Sequence, residues 1–130
     1  MEETYFQFPS ASTGNEVNSM IEIQVRTHTH KVRGVLVTGH GGGSAGSDIV
    51  CAAVSAVTET ALAGMLHYDS EGIDWEMREG FISIQLRDSA DETLDTILNT
   101  MIIGLRQIAK EHPEGIRLHS EQDSGIPDET

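Results

Sequence analysis

The chain has 130 residues, 38% hydrophobic and 22% charged, with one cysteine. That length suits a single domain of about 100–150 residues. It excludes two-domain enzymes and large barrels, and one Cys excludes an intrachain disulfide scaffold. Acidic residues number 21 against 8 basic ones, a net charge of −13. This balance argues against direct nucleic-acid binding, which needs clustered Lys and Arg, and favours a basic peptide or protein partner.

The charge is unevenly spread. Glu2, Glu3, Glu16, Glu121, Asp123, Asp128 and Glu129 fall in residues 1–19 and 120–130, where no Lys or Arg occurs. Residues 1–19 lack a sustained period and are expected to be a disordered extension. Glu2 and Glu3 do not make the basic start of a secretory signal. No apolar run is expected to approach the roughly 20 residues of a membrane span. The expectation is therefore a cytoplasmic protein without a membrane partner. Within residues 1–19, Tyr5, Phe6 and Phe8 form an aromatic cluster that could dock into an aromatic-accepting pocket of the same chain.

Ile21, Ile23 and Val25 alternate with Glu22, Gln24 and Arg26, the period of a half-buried strand. Thr27 to His30 predicts a turn and Val32 to Thr38 a second strand, and so short a connection favours antiparallel pairing. His28 and His30 carry imidazoles two apart at that turn, but a zinc site normally needs three or four protein ligands. No metal is expected. After a glycine-rich stretch, Asp48 predicts the cap of a helix running to about Leu66.

Ile73, Trp75 and Met77 alternate with Asp74, Glu76 and Arg78, and Glu79-Gly80 turns the chain into Phe81–Arg87, which predicts a hairpin. Trp75 is expected to pack on the sheet, with an aromatic-accepting pocket as its alternative role. Ser89 and Glu92 fit a capping box. Leu94, Ile97, Leu98, Met101, Ile102, Leu105 and Ile108 then mark one face of a second helix, which Pro113 ends. Ile116 to His119 is a candidate last strand, and residues 120–130 are expected to be a disordered acidic tail. The order ββαββα, with a candidate final β, predicts an α+β domain over residues 20–119: two layers, a mostly antiparallel sheet with two main helices.

The loop from Gly39 to Ser47 admits three readings. Gly41, Gly43 and Gly46 fit a dinucleotide-binding G-x-G-x-x-G, but that fold begins with a parallel βαβ unit and the preceding pair here predicts an antiparallel hairpin. Gly42, Ser44 and Gly46 fit a serine-hydrolase G-x-S-x-G, and His40-Gly41-Gly42-Gly43 mimics a lipase oxyanion loop. In that fold the two motifs lie on different loops, so their overlap reflects glycine content. The third reading is a Cys–His nucleophile. With Asp48 as cap, Cys51 occupies the first helical turn, where partial positive charge favours thiolate while the Asp48 carboxylate opposes it. His40 ends the preceding strand and is a candidate base. The backbone N–H groups of Val50 and Cys51 are candidate oxyanion donors, and Ser55 lies one turn after Cys51 on the same face. A lone Cys in an Ala/Val-rich helix is more often a small buried hydrophobe. On the residues alone, a non-catalytic protein-binding module with a buried Cys51 stays open beside the enzyme.

Gly39-His40-Gly41, followed by Gly46-Ser47-Asp48-Ile49-Val50-Cys51-Ala52-Ala53-Val54-Ser55, closely resembles the ribosomal-processing cysteine protease family, Prp. The resemblance extends to the organisation of residues 20–119. It implies Cys51 as nucleophile and His40 as base, with no cofactor. It implies cleavage of the N-terminal extension of a large-subunit ribosomal protein, after an aromatic residue and ahead of a basic segment, by a homodimer. Asp48 and Ser55 would support the dyad, and the loop carrying Gly41, Gly42, Gly43, Ser44 and Gly46 would shape substrate access. Three consecutive glycines oppose a fixed backbone, so residues 41–47 are expected to be mobile until substrate binds.

Overall fold

The computed structural model describes residues 20–39 and 45–122, with the side chains of 45–48 and 122 excepted. The order is β1 (Ile21–His28), β2 (Lys31–Thr38), α1 (Ala45–Asp69), a one-turn 3₁₀ segment (Ser70–Gly72), β3 (Ile73–Arg78), β4 (Phe81–Leu86), α2 (Glu92–Glu111) and β5 (Ile116–Gln122). The five strands form one sheet in the order β3-β4-β2-β1-β5. Every neighbouring pair is antiparallel except β1 with β5. This is the α+β domain that the alternation predicts, with the last strand present.

Register explains the core. Leu118, Ile23, Val37, Ile82 and Met77 stand opposite one another across the five strands, and Ser120, Val25, Val35, Ile84 and Trp75 make the next row. Successive side chains on a strand alternate faces, so both rows face the side where α1 and α2 pack. One cluster joins Ile23, Val35 and Ile84 of the sheet to Val54 and Met65 of α1 and Leu98 and Leu105 of α2. The rows run out at the edge. On β3 only Ile73 is covered, at 4% exposed, and Trp75 and Met77 are 45% and 43% exposed. The expected packed Trp75 is thus corrected: alternation identifies its face, while its exposure follows from β3 being an edge strand.

Local chemistry sets the turns. Thr29 and His30 both take positive φ (47° and 68°), giving β1–β2 a two-residue hairpin whose twist matches the strands. Arg33 ties β2 to the start of α2, donating to Asp95 Oδ1 (3.0 Å) and to the Arg87 carbonyl (2.8 Å). The expected Ser89–Glu92 capping box does not form. The N–H of Ala90 donates to the Arg87 carbonyl (3.0 Å), which keeps Ser89 in a turn, and α2 starts at Glu92 after Asp91. Asp69 Oδ2, at the end of α1, accepts the N–H of Asp91 instead (2.9 Å).

Three further boundaries differ from expectation. Helix α1 begins at Ala45 rather than after Asp48 and continues to Asp69. Strand β5 continues through Ser120 and Glu121 to Gln122 because it pairs residue by residue with β1, so sheet structure passes the expected boundary at His119. The stretch Ile49–Gly72 is long and apolar enough to cross a membrane by length and composition, contrary to the expectation of no such run. Its Val50, Val54, Leu62 and Met65 belong to the core, and Ile49, Cys51, Val57, Leu66 and the alanines supply much of the remaining hydropathy.

Candidate active site

Cys51 lies in the second turn of α1, counted from Ala45. It is half-buried and packs against the edge of the core. Residues at i, i+4 and i+8 share a helix face. Cys51, Ser55 and Glu59 accordingly line one wall of a cleft of about 450 Å³. Below them, Ile21, Val37 and Val54 make an apolar floor, and the β3–β4 hairpin from Met77 to Ile82 makes the opposite wall. Thr58 braces the helical wall: its fully buried hydroxyl donates to the Val54 (3.0 Å) and Ser55 (3.2 Å) carbonyls, so no polar group there is left unmatched.

Gly39 closes the end of the cleft. Its φ of +97° favours glycine, and a Cβ built there would lie 2.6 Å from the Met20 carbonyl oxygen. Its N–H donates to the Gly80 carbonyl (3.1 Å), pinning the end of β2 to the turn of the β3–β4 hairpin. The strand that leads to His40 is therefore anchored to the hairpin wall that faces Cys51 across the cleft. His40, Gly41, Gly42, Gly43 and Ser44 lie outside the described residues, as do the side chains of Ala45, Ser47 and Asp48. Tyr5, Phe6 and Phe8, and the loop mobility expected for 41–47, also concern residues beyond that description, apart from the helical backbone of 45–47.

Two sequence expectations change. Asp48 falls within the first turn of α1 rather than at its cap. A helix leaves its first four N–H groups unpaired, and with Ala45 as the first residue Val50 and Cys51 come after them. Their N–H groups belong to the helical ladder, so they are not free oxyanion donors. A fully buried Cys51 also fails to describe the site, because the residue is half-buried and lines the cleft. His28 and His30 are exposed at the far hairpin, about 23 Å along β1 from the cleft. Sequence reasoning missed Glu59 and the hairpin wall. Glu59 was discoverable by continuing the Cys51–Ser55 spacing one more turn, whereas the hairpin's place requires the strand order.

A family model described as Cysteine protease Prp matches residues 20–117. The chain belongs to this family. A ribosomal processing cysteine protease Prp of Staphylococcus aureus is 33% identical over 104 residues, spanning 77% of this chain and 98% of the relative. The crystal structure of the S. aureus protease Prp in complex with a substrate peptide superposes with a TM-score of 0.71 at 31% identity, covering 78% of this chain and all of the other. A second S. aureus Prp structure, holding a covalently linked product peptide, gives a TM-score of 0.68 at 30% identity over the same shares. The protein is a cysteine protease of the ribosomal-processing Prp family. Cys51, the one cysteine in the sequence, stands at the cleft of this family member.

Proposed function

We propose that this protease removes the N-terminal extension of a large-subunit ribosomal protein, cutting after an aromatic residue through a Cys51–His40 dyad. The observation that carries the reading is the position of Cys51 on the wall of a cleft whose end is formed by Gly39, the residue next to His40. An apolar floor of Ile21, Val37 and Val54, flanked by Met77, Phe81 and Ile82, suits an aromatic side chain. The cleft volume of about 450 Å³ lies in the range of ligand sites.

In the mechanism, the His40 imidazole takes the Cys51 thiol proton as the sulfur attacks the scissile carbonyl carbon. The tetrahedral intermediate collapses with cleavage of the C–N bond. His40 returns the proton to the departing amine, leaving a thioester on Cys51. Water, deprotonated by His40, then attacks the thioester, and the acid product and the free thiol are released. Ser55, facing the cleft one turn after Cys51, is placed to hydrogen-bond to a reacting group. Asp48 as a supporting residue and the glycine-rich loop with Gly41, Gly42, Gly43, Ser44 and Gly46, as the shaper of substrate access, complete the site in this reading. A cytoplasmic homodimer is the expected working form, on the family resemblance.

The test is incubation with a peptide spanning the extension junction, read by mass spectrometry. One cut after the aromatic residue is expected, lost in both Cys51→Ala and His40→Ala. Cleavage at another residue type would overturn the specificity, and full activity in His40→Ala would overturn the dyad.

A further inference from the structure

Strand β3 is the edge of the sheet beside the cleft, and among the described residues it pairs with β4 alone. Two backbone bonds fix which of its polar groups that pairing uses. The Gly80 carbonyl accepts the Gly39 N–H (3.1 Å) and so points at β2, which leaves the next residue, Phe81, to bond Arg78 of β3. At the far end the Arg87 N–H donates to the Gly72 carbonyl (2.8 Å). Bonded pairs alternate along an antiparallel ladder, so Asp74 and Glu76 are the bonded residues between. Ile73, Trp75 and Met77 therefore turn their N–H and C=O groups to the open edge. Ile73 is buried, whereas Trp75 and Met77 are exposed. Such an edge is usually blunted by Lys, Pro or a bulge. Strand β3 has no Lys or Pro, and its register with β4 is unbroken. Its charged residues are the ones already bonded to β4, and its open positions are apolar.

We propose that the edge of β3 receives the peptide substrate as an added strand, held by the N–H and C=O groups of Trp75 and Met77. The inference rests on the protease reading above and adds a hold on the peptide backbone that does not depend on sequence. Added strands of this kind bind extended peptides mainly through main-chain bonds. Continuity with the cleft selects this occupant. Met77, Arg78 and Glu79 already line the cleft, so a chain that leaves it along this wall reaches the edge at Met77. A second copy of β3 fits less well. Antiparallel pairing of two copies through Trp75 sets Asp74 opposite Glu76, and the next register that joins open positions sets Glu76 opposite Glu76. Like charges directly opposed are destabilising. The added strand holds substrate and takes no part in bond making.

The test measures binding of labelled decapeptides with a central Phe-Ala junction to Cys51→Ala, by anisotropy, with one backbone amide N-methylated at a time. N-methylation should weaken binding about three- to tenfold at alternate amides on one side of the junction, each the loss of one backbone bond, and leave the intervening amides unaffected. Trp75 is the one tryptophan of the sequence, so saturation with unlabelled peptide should shift its emission to the blue as the indole is covered. Trp75→Pro removes an open N–H and leaves the β4 ladder intact, since Pro is accommodated on the solvent side of an edge strand. It should raise KM about three- to tenfold more than Trp75→Thr, which keeps that N–H. Equal sensitivity of consecutive amides, Trp75 emission unmoved by bound peptide, or no binding at millimolar peptide overturns the added strand. A wild-type dimer that Trp75→Pro dissociates also overturns it, by placing a second copy on the edge. Alternating sensitivity without cleavage of any peptide by the wild-type protein supports the added strand and counts against the proposed cleavage specificity.

Discussion

The two helices of the domain share one core but are built on different rules. Helix α2 shows a stripe: Leu94, Leu98, Met101, Ile102 and Leu105 are buried, while exposed positions such as Arg106 and Lys110 are polar, with Ile103 the exposed apolar exception. Helix α1 has no such division. Its Val50, Val54 and Met65 face the sheet, its Val57 and Gly64 meet α2, and Cys51, Ser55 and Glu59 line the cleft. A helix with neighbours on three sides cannot keep one polar half, so small residues replace the stripe. Helix α2 therefore carries mainly stability, whereas α1 packs the core on one face and lines the cleft with another, the face to which the proposed function assigns the chemistry.

Cys51→Ala breaks this comparison most sharply if it is wrong. If Cys51 is the proposed nucleophile, its removal should lower kcat/KM by at least about a thousandfold, by analogy with the loss of a catalytic nucleophile in other proteases. Cys51 is only half-buried at the margin of the core, so the thermal midpoint should move little, by less than about 5 °C. A thermal melt beside a peptide-cleavage assay checks both. A large loss of stability would mean that the cleft face of α1 is part of the core after all.

Leu98→Ala is the mirror test on α2. Leu98 is 0% exposed within the cluster that joins both helices to the sheet. Truncation leaves a cavity and should cost about 2–5 kcal/mol, or about 10–25 °C in a domain of this size. Activity per folded molecule should stay near wild type at low temperature, because Leu98 does not line the cleft. Urea titration and active-site labelling separate the two quantities.

What the sequence discloses follows the same division. The stripe of α2 and the strand alternations are periodic signals, and the structure has strands and a helix where they predict them, although Trp75 is exposed and Arg26 is buried. The start of α1 was not legible, since Gly, Ser and Ala around residues 43–47 give no periodic cue and Asp48 offers a cap. The Cys51 motif was legible as a local run ending at Ser55. Its surroundings were not: the hairpin turn that walls the cleft lies some 27 residues downstream, and only the order β3-β4-β2 brings it beside Gly39. Trp75 illustrates the same limit, because alternation fixes a face whereas exposure depends on which strand ends the sheet.

The smallest expected effect lies where the two helices meet. Val57 of α1 sits over Gly104 of α2, and Ile97 of α2 sits over Gly64 of α1, a reciprocal pair of glycine contacts. A Cβ at either glycine would meet its neighbour at 3.8 Å, ordinary van der Waals distance. Glycine in a helix interior is less favourable than alanine by about 1 kcal/mol, and nothing at these two contacts requires its smaller size. Gly64→Ala and Gly104→Ala should each raise stability by about 0.5–1 kcal/mol, or about 2–6 °C in a thermal melt. Both sites lie on the α1–α2 seam rather than on the cleft wall, so peptide cleavage should be unchanged. A fall in activity with either substitution would show that α1 must shift against α2 during turnover, and the separation of its faces would then hold only in the resting protein.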